Sequence, residues 1–145
     1  MKVIELTSSD DLAAWAHAIE AARWEDDGEG THTEASLRAY LADPTNVMVV
    51  CHRGGEVLGI ASASVRRKPY AVAPWLYVDE VDTALNHRRR GVAKAMMTTL
   101  LAIAARHHCI EVWLGTELDN VAARGLYSGV PGAEEETFVG YTFTI

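Results

Sequence analysis

The chain has 145 residues, a net charge of −7, 49% hydrophobic and 23% charged residues. That is room for one domain with a real core and too little for two. The acidic balance argues against nucleic acid or an anionic membrane surface as partner, and no apolar run reaches the roughly 18 residues of a membrane span.

Lys2 to Leu6 alternates as a strand does. With Glu5 inside it, the N-terminus lacks the apolar h-region of a signal peptide. Thr7, Ser8, Ser9 and Asp10 offer N-caps for a helix running to about Arg23, with Leu12, Trp15, Ala16 and Ile19 on one face. A loop follows, with Glu25, Asp26, Asp27, Glu29 and Glu34 around His32, and no Lys or Arg. His32 could touch an acceptor here, or be an exposed loop histidine. A second helix spans about Glu34 to Ala42, with Leu37, Tyr40 and Leu41 as its apolar side. Asn46 to Arg53 and Glu56 to Arg66 read as a hairpin turned at Gly54-Gly55.

Trp75 to Thr83 reads as the central strand. It holds three carboxylates, Asp79, Glu80 and Asp82, and alternation puts Glu80 and Asp82 on one face and Asp79 on the other. Charges in an apolar strand are costly unless paired, exposed or used. Next comes Asn86-His87-Arg88-Arg89-Arg90-Gly91-Val92-Ala93-Lys94, opening a run of good helix formers to Arg106. A helix N-terminus has N–H groups without intrahelical partners and the positive end of the dipole, so strand, basic turn, glycine and helix together form an anion site. Gly91 and Ala93 leave the backbone approachable, and the three arginines stay charged at any physiological pH. A phosphate or diphosphate fits.

Cys109 to Thr116 is strand-like, Asn120 to Tyr127 helical, Ser128 to Ala133 a turn, and Thr137 to Ile145 alternates as a last strand. Cys51 and Cys109 lie in apolar runs and read as buried thiols of a reducing, cytoplasmic setting. His17, His52, His107 and His108 read as structural or exposed, with the last two closing the long helix, and no spacing suits a metal.

Arg88-x-x-Gly91-x-Ala93 resembles the Arg/Gln-x-x-Gly-x-Gly/Ala signature of the GNAT superfamily of N-acetyltransferases. Asn120-x-x-Ala123-x-x-Leu126-Tyr127 resembles that family's last helix. The resemblance covers the whole chain and implies one α/β domain: a mixed, mostly antiparallel sheet of six to seven strands, splayed between the fourth and fifth and flanked by four helices. It implies acetyl-CoA as cofactor, held by Arg88, Arg89, Arg90, Gly91, Val92, Ala93 and Lys94 at the pyrophosphate. Val81, Asp82, Thr83, Asn120 and Ala123 would lie along the pantetheine.

In the same light Glu80 stands as base or amine anchor and Tyr127 as the acid that protonates the departing thiolate. The acceptor side would be Glu25, Asp26, Asp27, Glu29, Asp79 and Glu80, a set that suits a small cationic amine. The run His87 to Ala93 and the ending Gly132 to Ile145 are similar to bacterial aminoglycoside 3-N-acetyltransferases. A polyamine or a protein or peptide amine is the alternative acceptor, and a non-catalytic acyl-CoA-binding module the alternative from another class. Members of the family are often dimers, so a homodimer is also compatible.

Overall fold

A computed structural model describes residues 1–25 and 30–145. The chain divides into two compact units, Met1–Gly115 and Thr116–Ile145.

The first unit holds a five-stranded sheet in the order β1-β2-β3-β4-β5: β1 Lys2–Glu5, β2 Asn46–Arg53, β3 Glu56–Arg66, β4 Trp75–Thr83 and β5 Val112–Trp113. Every neighbouring pair is antiparallel except β4 and β5. The helices of this unit are α1 Leu12–Ala21, α2 Glu34–Leu41 and α3 Val92–Arg106. The β2–β3 turn requires left-handed backbone at both Gly54 (φ +56) and Gly55 (φ +88), the pattern of a two-residue hairpin matched to strand twist.

The helices cover opposite faces of the sheet. On one face Leu12, Ala16 and Ile19 of α1 and Leu37 of α2 pack with Met48, Val50 and Ile60. The other face meets α3, which buries Val92, Met96, Met97, Leu100 and Ile103. The closest approach of α3 is at Gly59 of β3. A Cβ there would stand 2.7 Å from Val92 Cγ1, 2.8 Å from the Asp82 carbonyl oxygen and 2.8 Å from Met96 Cε. Gly59 therefore sets how near α3 can lie to β3 and β4.

The β3–β4 ladder carries one register shift. Ser62 pairs with Glu80 and Ala63 with Val78, so Asp79 is the extra residue of a bulge. Strand side chains alternate between faces, and the bulge resets that alternation. Leu76 and Val78 point toward α3, while Tyr77, Glu80 and Asp82 share the face of Ser64, Ser62 and Ile60.

Three expectations are corrected. The sheet has five strands rather than six or seven, because Thr137 to Ile145 forms no strand. Alternation makes a strand only with a partner for its N–H and C=O groups, and Val139, Tyr141, Phe143 and Ile145 are exposed. The fifth strand shrinks to Val112–Trp113, pairing β4 only at Leu76 and Tyr77. Helix α1 is capped by Asp11, which accepts from the Ala14 N–H at 3.0 Å, while Asp10 is taken up in a turn with Thr7.

The second unit contains α4, Val121–Ser128, capped by Asn120. No helix among the described residues is long and apolar enough to cross a membrane. Cys51 is buried and Cys109 half-buried, both free, and burial pushes both thiols up, away from the reactive thiolate.

Overpacking a full site costs about 1–3 kcal/mol. Gly59→Ala is expected to lower stability by about that amount in urea unfolding. An unchanged midpoint would mean that α3 has slack at this contact.

Candidate active site

The basic turn grows directly out of β4. After Thr83 the chain makes a short 3₁₀ turn, Leu85–His87, before α3 begins at Val92. Three contacts anchor it. The Leu85 N–H donates to the Arg23 carbonyl at 2.8 Å, His87 Nε2 lies 2.9 Å from Glu56 Oε1, and the Arg88 guanidinium donates to both carboxylate oxygens of Glu25. Arg89 (φ +58) and Gly91 (φ +78) are left-handed, and these two reversals turn the chain into the helix.

Helix α3 is uncapped. Asp11, Thr33 and Asn120 each accept a backbone N–H at the start of α1, α2 and α4, whereas no side chain caps α3. The first intrahelical bond runs from Ala95 to Gly91, leaving the N–H groups of Val92, Ala93 and Lys94 without intrahelical acceptors. Nothing lies within 4 Å of where a Cβ of Gly91 would stand. Approachable donors, the helix dipole and exposed Arg88, Arg89 and Arg90 fit the diphosphate of coenzyme A.

On the other side of β4 lies a pocket of about 710 Å³. Its sheet wall is Met48, Ile60, Ser62, Glu80 and Asp82, and its helical wall includes Glu20, Ala22, Leu37 and Tyr40. Trp24, Gly30, Thr31 and His32, between α1 and α2, also line it. The bulge at Asp79 keeps Glu80 and Asp82 on this face together with Tyr77. Beyond Tyr77, β4 has no further ladder to β5 among the described residues. The stretch with Val81, Asp82 and Thr83 therefore has no ladder partner in β5 among the described residues.

Asp79, by contrast, turns to Arg66, 3.9 Å from its Nη2. Burial raises its carboxyl above the usual range, opposed by the Arg66 charge. Glu25 is committed to Arg88, and that hydrogen bond and charge hold its carboxyl below the usual range. Asp26, Asp27 and Glu29 lie outside the described residues. In the second unit, the Asn120 side-chain oxygen accepts from the Ala123 N–H at 3.1 Å, so the first two named residues of that motif form the cap of α4. Tyr127 lies in the last turn of α4.

Sequence reasoning left out several pocket residues. The Tyr40 hydroxyl donates to the Ala63 carbonyl at 2.8 Å, beside the register shift. Burial foremost, and then the Asp79 charge, push its phenol up to about 12, so it remains a donor. Tyr40 was legible only as an apolar helix residue. Glu20 reaches His32 across the loop, and no local spacing announces that pairing. Among the described residues no group of three His, Cys, Asp or Glu side chains is placed to hold a metal.

The geometry has counterparts in known proteins. The model of the acetyltransferase (GNAT) family matches residues 10–129. N-acetyltransferase family 8 member 3 of Mus musculus is 31% identical over 113 residues, 76% of this chain and 50% of that protein. The chain thus spans about half the length of the curated relatives it matches. Among solved structures, an aminoglycoside acetyltransferase from an uncultured soil metagenomic sample, in complex with trehalose, superposes with a TM-score of 0.81 at 18% identity, over 99% of this chain and 95% of the other. The ribosomal-protein-alanine N-acetyltransferase of Brucella melitensis gives a TM-score of 0.73 at 17% identity, over 99% and 100%. An aminoglycoside N-acetyltransferase solved with CoA gives 0.74 at 16% identity, again over 99% and 100%. With the family model spanning both the uncapped helix and the pocket, this chain belongs to the GNAT family of acetyltransferases, enzymes that use acetyl-CoA.

Proposed function

We propose that this protein acetylates an amino group of a small cationic acceptor, with an aminoglycoside as first candidate, and that residues 1–145 act as one acetyltransferase domain in the cytoplasm. One observation carries the reading: β4 separates two chemistries. Its end feeds an arginine-lined, uncapped helix that suits a diphosphate. Its face lines a pocket with the carboxylates of Glu20, Glu80 and Asp82, and such a pocket attracts cations. Named aminoglycoside acetyltransferases among the structural neighbours support the choice of acceptor. A peptide amine is the second reading, favoured by the ribosomal-protein acetyltransferase of the same fold.

The residues divide the work. Arg88, Arg89, Arg90 and the N–H groups of Val92, Ala93 and Lys94 hold the diphosphate, and Val81, Asp82, Thr83, Asn120 and Ala123 accompany the pantetheine. The bound cofactor supplies a reactive acetyl thioester. Glu80 receives the ammonium of the acceptor and takes its proton, directly or through water. Tyr127 gives a proton to the departing sulfur. Asp79 and the acidic segment Glu25, Asp26, Asp27 and Glu29 add to the field that draws the cation in.

Thiol release from acetyl-CoA with sisomicin, spermidine, a basic peptide and free lysine tests the acceptor. Turnover with sisomicin is expected, and turnover confined to the peptide would replace the aminoglycoside by a protein amine. Glu80→Gln and Tyr127→Phe are each expected to lower kcat by roughly 10²-fold or more, the usual size of acid–base effects, with calorimetric CoA affinity kept. Full activity in both variants would remove Glu80 and Tyr127 from the acid–base chemistry, whereas CoA binding without turnover in the unmodified protein would make it an acyl-CoA binder.

Arg88 must exchange Glu25 for the diphosphate. Glu25→Gln is therefore expected to tighten CoA binding a few-fold, an effect fading with added salt because the pair is exposed. Arg88→Gln is expected to weaken CoA binding roughly ten- to a hundredfold, the worth of a charged hydrogen bond. Identical CoA affinity in both variants would remove Arg88 from the cofactor site.

A further inference from the structure

The pocket holds an imidazole as well as carboxylates. His32 lines it, as do Glu80 and Asp82 of β4. Two bonds to one oxygen fix its place: Glu20 Oε1 accepts the His32 backbone N–H at 2.7 Å and lies 3.1 Å from His32 Nδ1. Glu20 belongs to α1, so a loop residue is tied to a helix. A carboxylate can only accept, so Nδ1 carries the proton toward Glu20 and the neutral ring keeps its lone pair on Nε2. A carboxylate that sets the tautomer of a histidine in this way also fixes the orientation of the ring.

The chemistry calls for such a group. In acetyl transfer to an ammonium the C–N bond forms and the C–S bond breaks; nitrogen sheds two protons, sulfur gains one, and one leaves to solvent. The proton passed to Glu80 is one of the two nitrogen loses, and a carboxylate that has taken it cannot take the next until it discharges. We propose that His32, oriented by Glu20, is a second proton acceptor in this pocket: its Nε2 takes a proton from the acceptor nitrogen and releases it to water. The side chain is 30% exposed, which places it at the rim, where exchange with solvent is direct. Among the described residues, Glu20 from α1 and Glu80 and Asp82 from β4 are the charged groups that line this pocket together with the imidazole. The inference rests on the reading that the pocket receives the amine.

Two measurements test it. Nitrogen NMR of the imidazole in the protein without ligand is expected to show the Nδ1–H tautomer, lost in Glu20→Gln; an Nε2–H tautomer in the unmodified protein overturns the proposal. With sisomicin as acceptor, His32→Gln is expected to lower kcat at least tenfold, to change KM less than threefold, and to remove one ionisation from the pH profile of kcat/KM. CoA affinity should stay that of the unmodified protein. A kcat within twofold and an unchanged profile overturn the proton role of His32 alone. If the unmodified protein binds CoA yet acetylates none of sisomicin, spermidine, peptide and lysine, the amine reading of the pocket falls, and this proposal with it.

Discussion

A β-strand has two faces, and β4 must satisfy a different neighbour on each. Leu76 and Val78 fill the core under α3, while Glu80 and Asp82 line a pocket on the far side. A regular strand would put Tyr77 and Glu80, three residues apart, on opposite faces. The bulge at Asp79 brings them to the same one. It falls where the strand changes from a packing element to a chemical one, and the Tyr40 hydroxyl bonds the neighbouring Ala63 carbonyl. Without that shift the carboxylates would lie against α3, where an unpaired charge is costly to bury.

The arginine turn depends on the same strand from its other end. Because β4 runs straight into the 3₁₀ turn and α3, the anion site and the pocket share one strand of nine residues. The Arg88–Glu25 pair bridges the turn and the acidic segment, and the His87–Glu56 pair ties the turn to the start of β3. These exposed pairs contribute little to stability; what they do is hold the turn in place.

Much of this was legible in the sequence where side-chain periodicity and turn chemistry agree. The limits of β2, β3, β4 and α3 follow from alternation, the Gly54-Gly55 turn and an uninterrupted run of helix formers. Legibility ended where tertiary pairing decides. Thr137 to Ile145 alternates as well as β1 does, but it joins no ladder among the described residues. Asp10 is as good a cap as Asp11 by composition, but a turn with Thr7 claims it first. Alternation placed Glu80 and Asp82 together, but the bulge that relates them to Tyr77 has no signature in residue type. The motif Arg88 to Ala93 was visible because helix N-termini and arginines act locally. The Glu20–His32 pair was not, since it spans the loop between two helices.

Gly59 also fixes a mechanical property of the anion site. With side-chain and backbone atoms 2.7 to 2.8 Å from the place of a missing Cβ, the first turn of α3 is seated hard against the sheet. The dipole and free N–H groups at its tip are thereby held in one orientation before any ligand arrives. A diphosphate meeting such a preorganised array costs the protein little further ordering, and interaction that would be consumed in stiffening a loose helix end remains available as affinity.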